Sequence, residues 1–342
     1  MRVAAAVPAP SAADAADAIH KLEHPELLVP NDPNPAFAYL GSMLQLRRLH
    51  SPVSFATAAL VVYAPVGVAL LLLRLLLLLL VAVLLPPVLT EDQLSWALVI
   101  VSAPMGILVT LVDPDGHWDA ADPPGVVVAN HLSEMDGIAL KVLGPLDTLG
   151  YDFFKNSFFF QLLRNKIGFI YVPHVSRTQG GAAGRDALRQ LLVEKVRLRQ
   201  RPILCFPEGG MTNGRVGLLQ YHTFMFSLGT RVQPIALTAS DGVFPVHIND
   251  ETSTCVANIL WFLFLPWHRF TVRVLPPTTI GDGETPLAFA QRVMLATANA
   301  LRIAPTPFLY KHKMRYLQWY RSQRARRPVG VSDKIDPSHT KP

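Results

Sequence analysis

The hydrophobic and polar positions of this chain fall into zones with different periods. Residues 1–49 are rich in Ala and Pro and carry no sustained apolar repeat. This predicts a disordered arm, residues 1–54, with a short helix at 20–28. The arm lacks the basic-then-apolar opening of a secretory signal. Residues 55–85 are apolar almost throughout, with one charge, Arg74, after the run Leu70-Leu71-Leu72-Leu73. About 20 apolar residues span a bilayer, so this stretch predicts a membrane anchor. It either crosses once with length to spare or forms a re-entrant hairpin bent near Pro65 or Arg74. A charge at the bilayer centre costs about 2.5–3.5 kcal/mol, which a shallow hairpin would lessen. Residues 94–112, interrupted by Pro104 and Gly106, read as a second span or an interfacial helix, so the anchor zone is 55–112.

A polar connector with Pro and Gly, residues 113–124, separates this zone from a different pattern. Short β-branched runs at 126–129, 169–172, 203–206, 232–237 and 270–275 predict strands. Helical periodicity at 137–143, 155–163, 185–201 and 285–301 separates or follows them. The alternation predicts an α/β fold, a layered and mostly parallel sheet with flanking helices, over residues 113–303. Within it, the aromatic run around Trp261 and Phe262 is too short to span. It reads as an interfacial helix or a core helix. Residues 311–327 interleave Lys and Arg with Met314, Tyr316, Leu317, Trp319 and Tyr320. That pattern predicts a basic amphipathic tail, residues 304–342, lying on anionic lipid. A nucleic-acid patch and a solvated tail are the alternatives.

Composition sharpens this picture. Of 342 residues, 50% are hydrophobic and only 16% charged, with a net charge of +6. With so apolar a chain the positive balance favours an anionic membrane surface and anionic co-substrates over nucleic acid. Arg47, Arg48 and His50 precede the anchor, whereas Glu91 and Asp92 follow it. The positive-inside rule then places the amino terminus in the cytosol. The two cysteines, Cys205 and Cys255, give neither a disulfide framework nor metal-ligand spacing. Cys205 sits in an apolar run and reads as a core thiol.

The candidate chemistry starts at Asn130-His131-Leu132-Ser133-Glu134-Met135-Asp136, just after the first predicted strand. At a strand-to-helix turn, Asp136 can hold the His131 imidazole in one tautomer and leave the other nitrogen to take a proton from a hydroxyl. Ser133 lies inside this span and outside any nucleophile-elbow context, so it is not read as a nucleophile. Glu134 reads as a solvated or helix-start charge. Three segments follow in order: Gly168-Phe169-Ile170-Tyr171-Val172-Pro173-His174, Phe206-Pro207-Glu208-Gly209-Gly210, and Val232-Gln233-Pro234-Ile235-Ala236-Leu237. His131, His174 and Glu208 each stand close behind a predicted strand, where α/β sheets carry their sites. No P-loop, dinucleotide glycine motif or metal cluster is present.

These four segments together resemble the four blocks of the glycerolipid acyltransferase family. Three further stretches resemble a short form of its ancient ubiquitous protein branch: Tyr63-Ala64-Pro65-Val66-Gly67, the run from Thr212 to Leu219, and Leu260-Trp261-Phe262-Leu263-Phe264-Leu265-Pro266. The resemblance implies a membrane-bound enzyme that moves an acyl chain from acyl-CoA, a co-substrate rather than a cofactor, to a lysophospholipid or related glycerolipid. His131 would be the base and Asp136 its partner. Asn130, Glu208, Gly209, Gly210 and Thr212 would lie on the substrate side. Where the family has Thr-Arg in its third block, this chain has Gly210-Met211, with Thr212 behind. Where it has arginine in its second block, this chain has His174, with Arg177 three residues on. Arginine clamps phosphate bidentately and histidine does not. The expected acceptor therefore moves from glycerol 3-phosphate toward a lysophospholipid. The resemblance also implies the endoplasmic reticulum membrane or the lipid droplet, with the catalytic domain facing the cytosol. The alternative it carries is a non-catalytic adaptor there, acting in degradation at the endoplasmic reticulum. The branch's ubiquitin-related modules are not expected within this length.

Overall fold

The computed structural model describes residues 7–50, 55–151, 168–172, 181–199, 201–240 and 242–326. Four helices precede the sheet. The first, α1 (Ala12–Glu23), starts at Ser11, whose side chain accepts the Asp14 N–H. Asn34 caps α2 (Pro35–Ser42) in the same way. The apolar zone forms one continuous 30-residue helix, α3 (Phe55–Leu84). Next, α4 (Glu91–Ser102) opens with a capping box between Thr90 and Gln93. The chain then runs β1 (Ile107–Val112), β2 (Val126–Ala129), a short α5 (Asp136–Ala139), β3 (Asp147–Tyr151), β4 (Phe169–Val172) and α6 (Gly181–Arg197). It continues through β5 (Ile203–Cys205), β6 (Gly217–Leu218), β7 (Val232–Ala239), α7 (Cys255–Phe264), β8 (His268–Val274), α8 (Pro286–Leu301), β9 (Ala304–Pro305) and α9 (Tyr310–Arg326).

Seven strands form one sheet in the order β1-β8-β7-β2-β5-β3-β4. Only the β7–β8 pair is antiparallel. The central strand β2 is buried along its whole length, as a strand covered on both faces must be. Its period of two divides the core. Val127 and Ala129 join Leu204, Ile235 and Leu237 under α5 and α7, with Leu71, Leu75 and Leu78 of α3 packed against them. Val126 and Val128 join Ile203, Cys205 and Val232 under Leu188 and Leu192 of α6 and Phe289 and Val293 of α8. The result is a helix–sheet–helix sandwich whose strand ends after β2 and β5 open on one edge.

By length and composition α3 can cross a membrane. It runs unbroken through Pro65 and Arg74, so neither residue makes the bend of a hairpin. Arg74 is only 4% exposed. Its guanidinium donates to the carbonyls of Pro104 at 3.0 Å, Leu263 at 2.7 Å, Leu265 at 2.5 Å and Pro266 at 2.5 Å. Leu263, Leu265 and Pro266 lie at the carboxyl end of α7, where helix carbonyls lack intrahelical donors. The charge that seemed a burden within an apolar helix thus caps another helix. Val61, Val62, Val66, Leu72, Leu73 and Leu76 remain exposed on α3.

Several expectations give way here. Residues 94–112 are not one apolar segment: α4 ends at Ser102, and β1 joins the sheet beside β8. The layered domain therefore starts at Ile107 rather than at 113. Residues 12–42 are not a disordered arm. Leu22, Phe37 and Leu40 of α1 and α2 pack with Tyr316 and Leu317 of α9. The same packing turns the apolar side of α9 toward protein instead of lipid, because a periodic face specifies burial but not the partner. The aromatic stretch is both core and surface, with Phe262 and Leu263 of α7 buried and Val256 exposed. The helix expected at 155–163 lies outside the described residues, as do His174 and Arg177.

Candidate active site

The turn after β2 builds the site. Asn130 is fully buried, and its side chain exchanges two hydrogen bonds with the Leu237 backbone, at 2.9 and 2.8 Å. This ties the end of β2 to β7 and fixes where the chain leaves the sheet. His131 is the next residue. Its Nδ1 lies 2.9 Å from Asp136 Oδ2, and its side chain is 23% exposed. The same Asp136 oxygen accepts the Leu132 and Ser133 N–H groups at 2.5 and 3.0 Å, while Oδ1 accepts the Ser133 hydroxyl at 2.6 Å. A carboxylate so supplied with donors stays an acceptor toward the imidazole. Nδ1 faces this carboxylate, and Nε2 is the ring nitrogen turned away from it. The His131 ring stacks on Phe206, with centroids 4.2 Å apart and planes 14° apart.

Glu208 holds the site from behind. It is buried, and its two oxygens accept the His131 N–H at 3.0 Å and the Leu219 N–H at 2.8 Å. Burial pushes its carboxyl up to about 8, against the pull of the two backbone donors and of Lys313. The Thr212 N–H donates to the His131 carbonyl at 2.8 Å. Its hydroxyl is buried and has no hydrogen-bond partner among the described residues. Gly209 takes φ +72°, the left-handed region that glycine enters freely. At Gly210 a Cβ would stand 2.6 Å from the Tyr310 ring of α9, so a side chain there requires that ring to shift. Lys313 of α9 brings a cation to this loop, donating to the Met211 carbonyl at 2.6 Å and to Glu251 at 2.8 Å.

The structure thus brings His131, Asp136, Asn130, Glu208 and Thr212 together. Asn130 and Glu208 are buried and bond backbone groups, and so they position the turn that carries His131. Ser133, set aside as a nucleophile, is a fully buried donor to Asp136. Glu134 is not simply solvated. It accepts from Asn258 Nδ2 at 2.7 Å, and burial raises its carboxyl. Phe206 and the α9 lysine were missed. The first followed from position alone, at the end of β5 next to β2. The second had no sequence signal, because α9 lies a hundred residues along the chain.

The chain is similar to several known proteins. The family model described as Acyltransferase matches residues 116–238. The lipid droplet-regulating VLDL assembly factor AUP1 homolog of Caenorhabditis elegans is 27% identical over 81% of this chain and 67% of its own. Its Danio rerio counterpart is 27% identical over 82% of this chain and 62% of its own, so the chain spans under two thirds of that protein. Among solved structures, the 1-acyl-sn-glycerophosphate (LPA) acyltransferase PlsC from Thermotoga maritima has 12% identity and a TM-score of 0.45. That match covers 69% of this chain and 95% of PlsC.

Proposed function

The chain belongs to the glycerolipid acyltransferase family, and from that premise we propose that it moves an acyl chain from acyl-CoA to the hydroxyl of a lysophospholipid or related glycerolipid. The observation that carries this is the His131 Nδ1–Asp136 Oδ2 contact of 2.9 Å, on a carboxylate held by three further donors. As the acceptor oxygen attacks the thioester carbonyl, its proton passes to His131 Nε2. The tetrahedral intermediate collapses, the C–S bond breaks, and the imidazolium returns the proton to the departing CoA thiolate. Asp136 stabilises the imidazolium. The thioester is already activated, so no enzyme nucleophile is needed.

The acceptor preference follows from the loop after β5. Gly210-Met211 supply no guanidinium for a free phosphomonoester, and the Tyr310 ring fills the space of a side chain at 210. A lysophospholipid, with its phosphate esterified, fits better than glycerol 3-phosphate. The chain works at the endoplasmic reticulum membrane or the lipid droplet, held there by α3, with the sheet domain on the cytosolic side.

A second reading is a non-catalytic adaptor at the same membranes, acting in degradation at the endoplasmic reticulum. The names of the relatives, which regulate lipid droplets, favour it. One experiment separates the two. Labelled acyl-CoA is offered to purified, membrane-reconstituted protein with a panel of lysophospholipids and glycerol 3-phosphate. The enzyme reading expects transfer by the wild type that disappears in His131→Ala. A folded wild type that transfers to none of them leaves the adaptor.

A further inference from the structure

A line of polar side chains runs from α9 to the His131 turn. Lys313 of α9 is buried, and its ammonium donates to Glu251 Oε1 at 2.8 Å. The same Glu251 oxygen accepts from Asn249 Nδ2 at 3.1 Å. Asn249 Oδ1 in turn accepts from Asn258 Nδ2, on α7, at 2.7 Å. Asn258 Nδ2 also donates to Glu134 Oε1 at 2.7 Å. Glu134 stands within the first block, between His131 and Asp136. Both asparagines are buried, so water does not replace these bonds when one is lost.

The line closes into a circuit. Lys313 also donates to the Met211 carbonyl at 2.6 Å, and the next residue, Thr212, donates its N–H to the His131 carbonyl at 2.8 Å. Lys313 therefore reaches the turn from two sides, through Thr212 at His131 itself and through Glu134 beyond it. Asn258 suits the other junction because an amide has two donors and an oxygen with two lone pairs. Its oxygen accepts from the Arg48 guanidinium and from the Asp250 N–H, while its nitrogen serves Glu134 and Asn249. Aspartate would lack the donors, and leucine would lack both functions. A buried ion pair such as Lys313–Glu251 is often matched in stability by apolar residues of the same volume. What this pair adds is direction.

We infer that Lys313 and Asn258 are positioning residues of the His131 site, and that α9 and α7 hold the base in place by hydrogen bonds through this circuit. Both residues lie outside the matched segment 116–238. Among the described residues neither bonds His131 or Asp136 directly, so each acts on the turn through Glu134 or Thr212. The effect on activity rests on the acyl-transfer reading, whereas the effect on the histidine does not.

The test uses the full chain in neutral detergent micelles with isotope-labelled histidine, read by NMR. The His131 ring signal is assigned as the one that His131→Gln removes. Lys313→Met and Asn258→Ala are each expected to shift it. Lys311→Met, an exposed lysine of the same helix that pairs with Glu23, should leave it in place. Acyl transfer is measured in parallel. Both circuit variants should lower kcat by roughly 10- to 100-fold, as a displaced base does, with the KM for acyl-CoA unchanged. Glu134→Ala should shift the signal and lower kcat in the same way. Glu134→Gln, which keeps an acceptor oxygen toward Asn258, should restore transfer. Glu134→Ala/Asn258→Ala should lose no more than the single variants. Glu134 is half-buried, so its series decides the matter if a buried variant folds poorly. An unmoved His131 signal in folded Asn258→Ala or Glu134→Ala would overturn the inference, as would an equal shift in Lys311→Met or multiplying losses in the double variant. A wild type that transfers to no acceptor would sink the acyl-transfer reading alone, and the histidine signal would still decide the circuit.

Discussion

The backbone N–H of His131 donates to Glu208 Oε1 at 3.0 Å, and this bond joins the first and third sequence blocks. Glu208 is almost fully buried. It clamps the backbone that carries the base, and through Oε2 it also holds Leu219. The acidic residue of the third block thus fixes the backbone at His131.

Removing that clamp is expected to cost stability as well as activity. Glu208→Ala leaves the N–H groups of His131 and Leu219 without their acceptor, at about 1–3 kcal/mol for each buried donor. Urea unfolding measures the first effect and acyl transfer the second. A full-length, folded Glu208→Ala protein with wild-type stability would refute the clamp.

The same carboxyl predicts a pH dependence of folding. Burial raises it from 4.5 to about 8, so the unfolded chain gives up this proton first as pH rises. Its contribution is complete below about 4.5 and is lost as pH rises through about 8. Stability measured across this window should fall toward high pH in the wild type. The slope should flatten in Glu208→Gln.

Asp136→Asn should lower acyl transfer by about 10²–10⁴-fold with little change in membrane association. The amide offers one acceptor oxygen where the carboxylate serves His131, Leu132 and Ser133. Its NH₂ group would present a donor to other donors. The pH–rate profile should lose its dependence on the imidazole, which a purely structural effect would leave in place.

Arg74→Leu keeps α3 apolar but strips four carbonyls of their donor. Hydrogen bonds to a charged group contribute about 1.5–3 kcal/mol each, so a loss of about 2 kcal/mol or more is expected. Hydrogen exchange should quicken at the carboxyl end of α7 while α3 stays helical. Arg74→Lys, one ammonium in place of a planar fork, should restore only part of the protection.

Gly210→Thr, which restores the family's residue, should destabilise by about 1–3 kcal/mol through its collision with Tyr310. In Gly210→Thr/Tyr310→Ala the collision is gone, and the two effects should be strongly non-additive. Additive losses in thermal unfolding would show that α9 does not close this loop.

What the sequence determined by itself is what local chemistry fixes. The spacing of His131 and Asp136 sets their contact because a strand-to-helix turn folds six residues back on themselves. The Val-rich run 126–129 reads as a doubly buried strand because nothing polar interrupts it. The Leu-rich run 55–85 reads as a membrane anchor for the same reason, although only the structure decides between a bend near Pro65 or Arg74 and the one helix it makes. Only the tertiary structure decided what crosses large chain distances. Strand β1 hides within an apolar zone, and β3 starts with Asp147, whose carboxylate is held by Lys195 of α6. Neither alternates clearly enough to show without its neighbours. The faces of α1, α2 and α9 called for cover, but periodicity cannot say that they cover one another. Arg74 looked costly because its carbonyl partners lie 30 and about 190 residues away. Glu208 meets the His131 backbone only once β2 and β5 pair.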